Sequence, residues 1–155
     1  MSEHIATVCW ENRQQVFTDN HYSREHTWSF DGGIEVPASA SPHVVPVPYS
    51  NPACVDPEEA FVAALSSCHM LFFLAIAAKR RFIVERYKDR AIGIMDKNEA
   101  GKLAMTAIHL HPEITFRGDR LPTSVQIASM HEQAHHQCFL ANSVKASITI
   151  HSEPT

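Results

Sequence analysis

The chain has 155 residues, 45% of them hydrophobic and 19% charged, which is enough to bury one core without disulfides or a structural metal, and one domain over residues 1–155 is expected. A formal net charge of -4 and a basic run no longer than Lys79-Arg80-Arg81 leave no electrostatic footprint for a phosphate backbone, so nucleic acid is not an expected partner. Low-complexity tracts and internal repeats are absent, which argues against disorder and against a solenoid.

Residues 1–10 lack the basic start and continuous apolar run of a secretory signal. The irregular spacing of Cys9, Cys54, Cys68 and Cys138 favours free thiols in a reducing compartment over two bridges. A cytoplasmic protein is the expectation. Residues 17–22 and 27–30 alternate apolar with polar and are closed by Asp31-Gly32-Gly33, which predicts antiparallel strands joined by hairpins. Pro37, Pro42, Pro46, Pro48, Pro52 and Pro57 then preclude regular helix and predict an extended loop.

Asp56-Pro57-Glu58-Glu59 is a helix start. Asp56 is placed to cap, Pro57 suits the first turn, and Glu59 completes a capping box. The helix should run from Pro57 to about Lys79. Residues 60–78 carry no formal charge and are apolar nearly all round, the mark of a helix buried on every side or of a membrane span. Ser66, Ser67, Cys68 and His69 interrupt its middle and no second apolar span exists, so a core helix wrapped by sheet or by a partner is expected, with no membrane. Residues 83–95 and 102–116 read as two strands about a turn at 96–101. Pro122-Thr123-Ser124 opens a second helix that continues to about Cys138, with Ile127, Met130 or His131, Ala134 and Cys138 at helical spacing. A last strand over 144–151 turns Ala146, Ile148 and Ile150 inward. The order is strands, helix, two strands, helix, strand, an α+β arrangement.

Two helix-borne cysteines suit peroxide reduction, in which one thiolate attacks the O–O bond and a second thiol resolves the sulfenic acid. Taken alone, Cys68 and Cys138 read more readily as small buried hydrophobes. Their surroundings change this. The run from Asp56 through Glu58 to Ser66-Ser67-Cys68, with the cysteine ten residues after the glutamate, resembles the first motif of the OsmC/Ohr family. Ala134-His135-His136-Gln137-Cys138 with Ala141-Asn142-Ser143 resembles its second, seventy residues further on.

That resemblance implies an OsmC-like fold, with antiparallel sheets wrapped around two long central helices in an intertwined homodimer. It further implies a peroxidase for organic hydroperoxides that needs no bound cofactor. Cys68 would be the peroxidatic nucleophile and Cys138 the resolving thiol, with regeneration by a dithiol reductant such as a lipoylated protein. Glu58 matches the family's helix-start glutamate, which holds an arginine against the thiolate. For the arginine, Arg24 stands before Asp31-Gly32-Gly33 as the family residue stands before its turn, and Arg13 is the alternative. Ten residues of helix separate Glu58 from Cys68 by about 15 Å, so the glutamate must act through an arginine or on the partner subunit's site.

The chain departs from the family pattern in carrying Phe139 where many members have a proline after the second cysteine, and His69 after the first. Without that proline, Cys138 is expected to sit differently and resolve more slowly. His69 is expected to pack.

Two other readings remain. One is a non-catalytic OsmC-like binding or stress protein with inert cysteines. The other is a zinc hydrolase built on His131-Glu132-Gln133-Ala134-His135, an H-E-x-x-H sequence whose third ligand would be His151, Glu153 or an upstream histidine such as His109 or His111. The plainer account of that motif is a helix with a polar face of histidines.

Overall fold

The computed structural model describes residues 1–13 and 16–152. The chain divides into two compact units, Met1–Ala60 and Phe61–Thr155.

In the first unit, strands β1 (Ala6–Cys9), β2 (His26–Phe30) and β3 (Glu35–Ala38) form an antiparallel sheet in the order β1-β2-β3. The turn between β2 and β3 needs Gly33, whose φ of 82 lies in the left-handed region. Residues 17–22, expected to be a strand, form a turn instead. Asn20 takes a φ of 63, and Phe17 and Tyr22 stack at 4.5 Å between centroids, with Trp10 edge-on to Tyr22 at 5.4 Å. An aromatic alternation that the sequence presents as strand is here a local ring cluster. The Pro-rich segment is irregular apart from the contribution of Pro37 to β3. It is tied back where Ser39 N–H donates to the Val55 carbonyl and Val55 N–H to the Pro37 carbonyl.

Helix α1 (Pro57–Lys79) starts as the sequence requires. Glu59 N–H donates to the Asp56 carboxylate at 2.8 Å, and Asp56 N–H donates to the Glu59 carboxylate at 3.3 Å. Within the second unit follow β4 (Ile83–Asp89), β5 (Ile92–Lys97), β6 (Leu103–Leu110), β7 (Pro112–Arg117), α2 (Ser124–Gln137), a 3-10 turn at Ala141–Ser143, and β8 (Ser147–Ile150). The two long strands expected between the helices are thus four. Breaks at Arg90-Ala91 and at His111 send β4 to pair with β7, and β5 with β6. β8 joins β6 in parallel, so this sheet is mixed rather than purely antiparallel.

The breaks also divide the core. Phe73, Ile76 and Ala77 of α1 pack with Ile127, Met130 and Ala134 of α2, flanked by Val84, Tyr87, Ile114 and Phe116 from the β4-β7 pair. Leu65, one turn nearer the start of α1 than His69, packs with Ile108 and Leu110 of β6 and with Ala146, Ile148 and Ile150, the inward set expected of the last strand. The face of α1 that is buried is therefore Leu65, His69, Phe73, Ile76 and Ala77. In the single chain the sheets cover one side of α1 only, and Phe61 and Leu71 on its other side are exposed. By length and composition α1 is long and apolar enough to cross a membrane.

α2 is capped as its sequence suggests. The Thr123 hydroxyl accepts from Gln126 N–H and the Gln126 side chain accepts from Thr123 N–H.

Candidate active site

Cys68 lies near the middle of α1, half-buried, and Cys138 caps the C-terminus of α2, fully buried. The side chains of Cys138 and Cys68 lie close enough to act on one another, so folding brings together two cysteines seventy residues apart. No proline is needed to stop α2. Cys138 leaves helical geometry at φ -64 and ψ 114 while its N–H still donates to the Ala134 carbonyl at 2.9 Å. The expectation that the missing proline displaces Cys138 is thereby corrected, because the chain ends the helix at this residue without one. Phe139 instead lies edge-on to Phe72 of α1, at 5.0 Å between centroids.

Burial and the neighbouring Cys68 push the Cys138 thiol up to about 11, and the backbone N–H of Ala141, donating to its sulfur at 3.4 Å, offsets this in part. Cys138 is therefore a protonated thiol near neutral pH. Cys9 lies exposed on β1, and Cys54 is half-buried in the Pro-rich loop with its thiol raised by burial and by the Glu25 charge; both are free.

On α1 the two residues flanking Ser67-Cys68 are polar. Ser66 donates to the Asp89 carboxylate, whose other oxygen accepts the His111 N–H at 2.6 Å. His69, expected only to pack, is 1% exposed and places Nε2 at 3.0 Å from Nδ1 of His131, which is 3% exposed. Burial lowers both imidazoles to about 4, so both are neutral at neutral pH. Sequence reasoning did not find this pair. Its only local signal is that His69 and His131 fall on the apolar, core-facing stripes of their helices.

His131 and Glu132 of the H-E-x-x-H sequence point to different environments, His131 being buried and Glu132 exposed. Among the described residues no group of three or more His, Cys, Asp or Glu side chains is arranged to hold a metal ion. Nδ1 of His131 is engaged by His69, His151 meets His109, and Glu153 lies outside the described residues. A groove of about 530 Å³ at the end of α1, lined by Leu74, Ala78, Arg81, Phe82, Ile83 and Val84, contains neither cysteine.

The remaining expected site residues belong to the first unit. Arg24 is held by its own loop, donating to the Asn20 and Tyr22 carbonyls and, at 2.6 Å, to Asn20 Oδ1, with its guanidinium 3.7 Å over the Tyr22 ring. Arg13 approaches Glu25 at 3.9 Å on the surface. Glu58, in the first turn of α1, has one carboxylate oxygen buried with no hydrogen-bond partner among the described residues.

A family model described as OsmC-like protein matches residues 50–153. The chain is 56% identical to an OsmC-like protein of unknown function from Vibrio cholerae, covering 99% of this chain and 100% of that one, and the structures agree with a TM-score of 0.97. The chain belongs to the OsmC-like protein family, with the α+β fold of that family. More distant structures share the fold. An organic hydroperoxide resistance protein from Elizabethkingia anophelis is 16% identical with a TM-score of 0.74, over 100% of this chain and 98% of that one. Another from Legionella pneumophila is 17% identical with a TM-score of 0.65, over 98% and 96%. No curated protein matches the sequence.

Proposed function

We propose that the protein is a cytoplasmic thiol peroxidase for organic hydroperoxides, with Cys68 as the attacking group and Cys138 as the resolving thiol. The observation that carries this reading is the proximity of the buried Cys138 thiol to Cys68. The Cys68 thiolate attacks the O–O bond and takes the terminal oxygen, and the departing alkoxide takes up a proton to leave as an alcohol. Cys138 then displaces hydroxide from the Cys68 sulfenic acid. Its own thiol proton completes the water that leaves, and a Cys68–Cys138 disulfide remains. A dithiol such as a lipoylated protein reduces that bond and becomes a disulfide itself.

Glu58 and Arg24 complete the proposed site. The unpartnered Glu58 oxygen suits a guanidinium, and an arginine held there would favour a thiolate. To serve in this way Arg24 must exchange the carbonyls of Asn20 and Tyr22 for Glu58. Arg13, whose exposed ion pair is weak, is the alternative. The protein acts as a homodimer in this reading. The apolar face of α1 that carries Phe61 and Leu71 is covered by a second copy rather than by lipid or nucleic acid. Support for the hydroperoxide class comes from the fold shared with the two hydroperoxide resistance proteins.

The competing reading is a non-catalytic OsmC-like binding or stress protein, favoured by the full burial of Cys138. Mass spectrometry after a stoichiometric pulse of cumene hydroperoxide separates the two. A mapped Cys68–Cys138 disulfide, lost in Cys68→Ser together with peroxide consumption, is expected. Two thiols that stay free would overturn the peroxidase.

A further inference from the structure

The two helices that carry the cysteines meet through apolar side chains, and apolar packing by itself tolerates slippage. α1 is the extreme case. From Phe61 to Ala78 its side chains are apolar except for Ser66, Ser67, Cys68 and His69, so one apolar contact substitutes readily for another along its length. The contacts between the helices run antiparallel, since Cys68 meets Cys138, while Arg80, just past the end of α1, donates to the Ser129 hydroxyl at 3.1 Å. Between these two contacts lies the buried imidazole pair. The rings of His69 and His131 are 8° from parallel with centroids 5.3 Å apart, and Phe73 closes on His131 at 4.4 Å.

A hydrogen bond between two buried neutral imidazoles has one good geometry. Sliding α1 by one turn, about 5.4 Å, would break it and leave two buried polar nitrogens unpaired, at roughly 1–3 kcal/mol for each group. His69 directly follows Cys68, and His131 precedes Cys138 by seven residues, two turns on the same helix face. Whatever aligns the histidines therefore aligns the sulfurs. We infer that the His69–His131 pair is the positioning element that sets the register of α1 against α2 and so holds Cys68 and Cys138 at bonding range. The two histidines touch each other and not the reacting sulfurs. Their role rests on the proposed use of the two cysteines as a redox pair, and it is exerted through helix placement.

The test is the thiol–disulfide equilibrium of the full chain in dithiothreitol redox buffers, read by alkylation and mass spectrometry. It requires no hydroperoxide. Two variants are compared with wild type. His69→Leu with His131→Leu removes both polar groups at once, so no buried nitrogen is stranded and the fold is retained. His131→Asn keeps a polar atom near the Nδ1 position. The double variant should unfold at or above the wild-type temperature, yet its equilibrium constant for the Cys68–Cys138 disulfide should fall at least tenfold, about 30 mV in potential. His131→Asn should stay much nearer wild type.

A folded double variant with an unchanged disulfide equilibrium overturns the inference. Should the double variant not fold, His131→Gln decides the matter, because it withdraws the polar atom from the Nδ1 position. An unchanged equilibrium in that folded variant likewise overturns the inference. Failure of the peroxidase proposal is a separate result, namely a wild-type disulfide that forms in these buffers while hydroperoxide is not consumed.

Discussion

Two hydrogen-bonded histidine pairs in the protein share a distance but little else. His69 and His131 lie 3.0 Å apart in the core of the second unit, whereas His109 and His151 lie 3.0 Å apart at the ends of β6 and β8, with His111 stacked on His151 at 4.5 Å. The first pair is nearly inaccessible, while His109 and His111 are half-buried and His151 is exposed. A ring nitrogen that loses its partner at the sheet edge gains water in exchange. In the core it gains nothing, so the same contact sets geometry in one place and is interchangeable with solvent in the other.

The largest effect expected from this contrast concerns chemistry. Cys68→Ser, beside the buried pair, should reduce hydroperoxide consumption to the uncatalysed background in a coupled assay, while His151→Ala leaves it at the wild-type rate. Next is stability in urea. His131→Ala strands His69 and opens a cavity against Phe73, and a loss of about 3 kcal/mol is expected.

The buried pair should also show itself in the pH dependence of unfolding. Both imidazoles titrate near 4 in the folded protein, below the usual histidine value of 6.5, because burial penalises the charged form; His135 adds to this at His69, and Asp89 opposes it. Between these values the unfolded chain binds more protons than the native one. The contribution of the pair is therefore complete above about pH 6.5 and is lost as pH falls toward 4, at up to roughly 1.4 kcal/mol per pH unit for each histidine. Unfolding temperatures measured across that range should fall with pH in wild type and fall less in the His69→Leu, His131→Leu variant. The smallest effect is at the sheet edge, where His151→Ala should change the urea midpoint by no more than about 0.5 kcal/mol equivalent. A larger change there would break the contrast.

Legibility varied along the chain for identifiable reasons. Both helix starts were readable because their capping boxes are local, with Asp56 and Glu59 at one and Thr123 and Gln126 at the other. The division of the strands was not, because β4 ends at Asp89 and β6 at Leu110 with no glycine there to mark a turn. What ends these strands is tertiary: Asp89 is taken up by Ser66 and His111, and His151 N–H caps the Leu110 carbonyl. Residues 17–22 misled for the opposite reason, since alternation of rings with polar residues is common to a strand and to a cluster of aromatics about a turn.

Family, fold class, the two helices and the candidate cysteines follow from the sequence alone, because each is written in residues close along the chain or in motifs at fixed spacing. The contact of Cys138 with Cys68, the pairing of His69 with His131 and the exposed side of α1 were decided only by tertiary structure. Each of these depends on which face of one helix meets which face of another. The pattern of α1, apolar nearly all round, leaves that choice open, and the folded protein takes the one that joins His69 to His131.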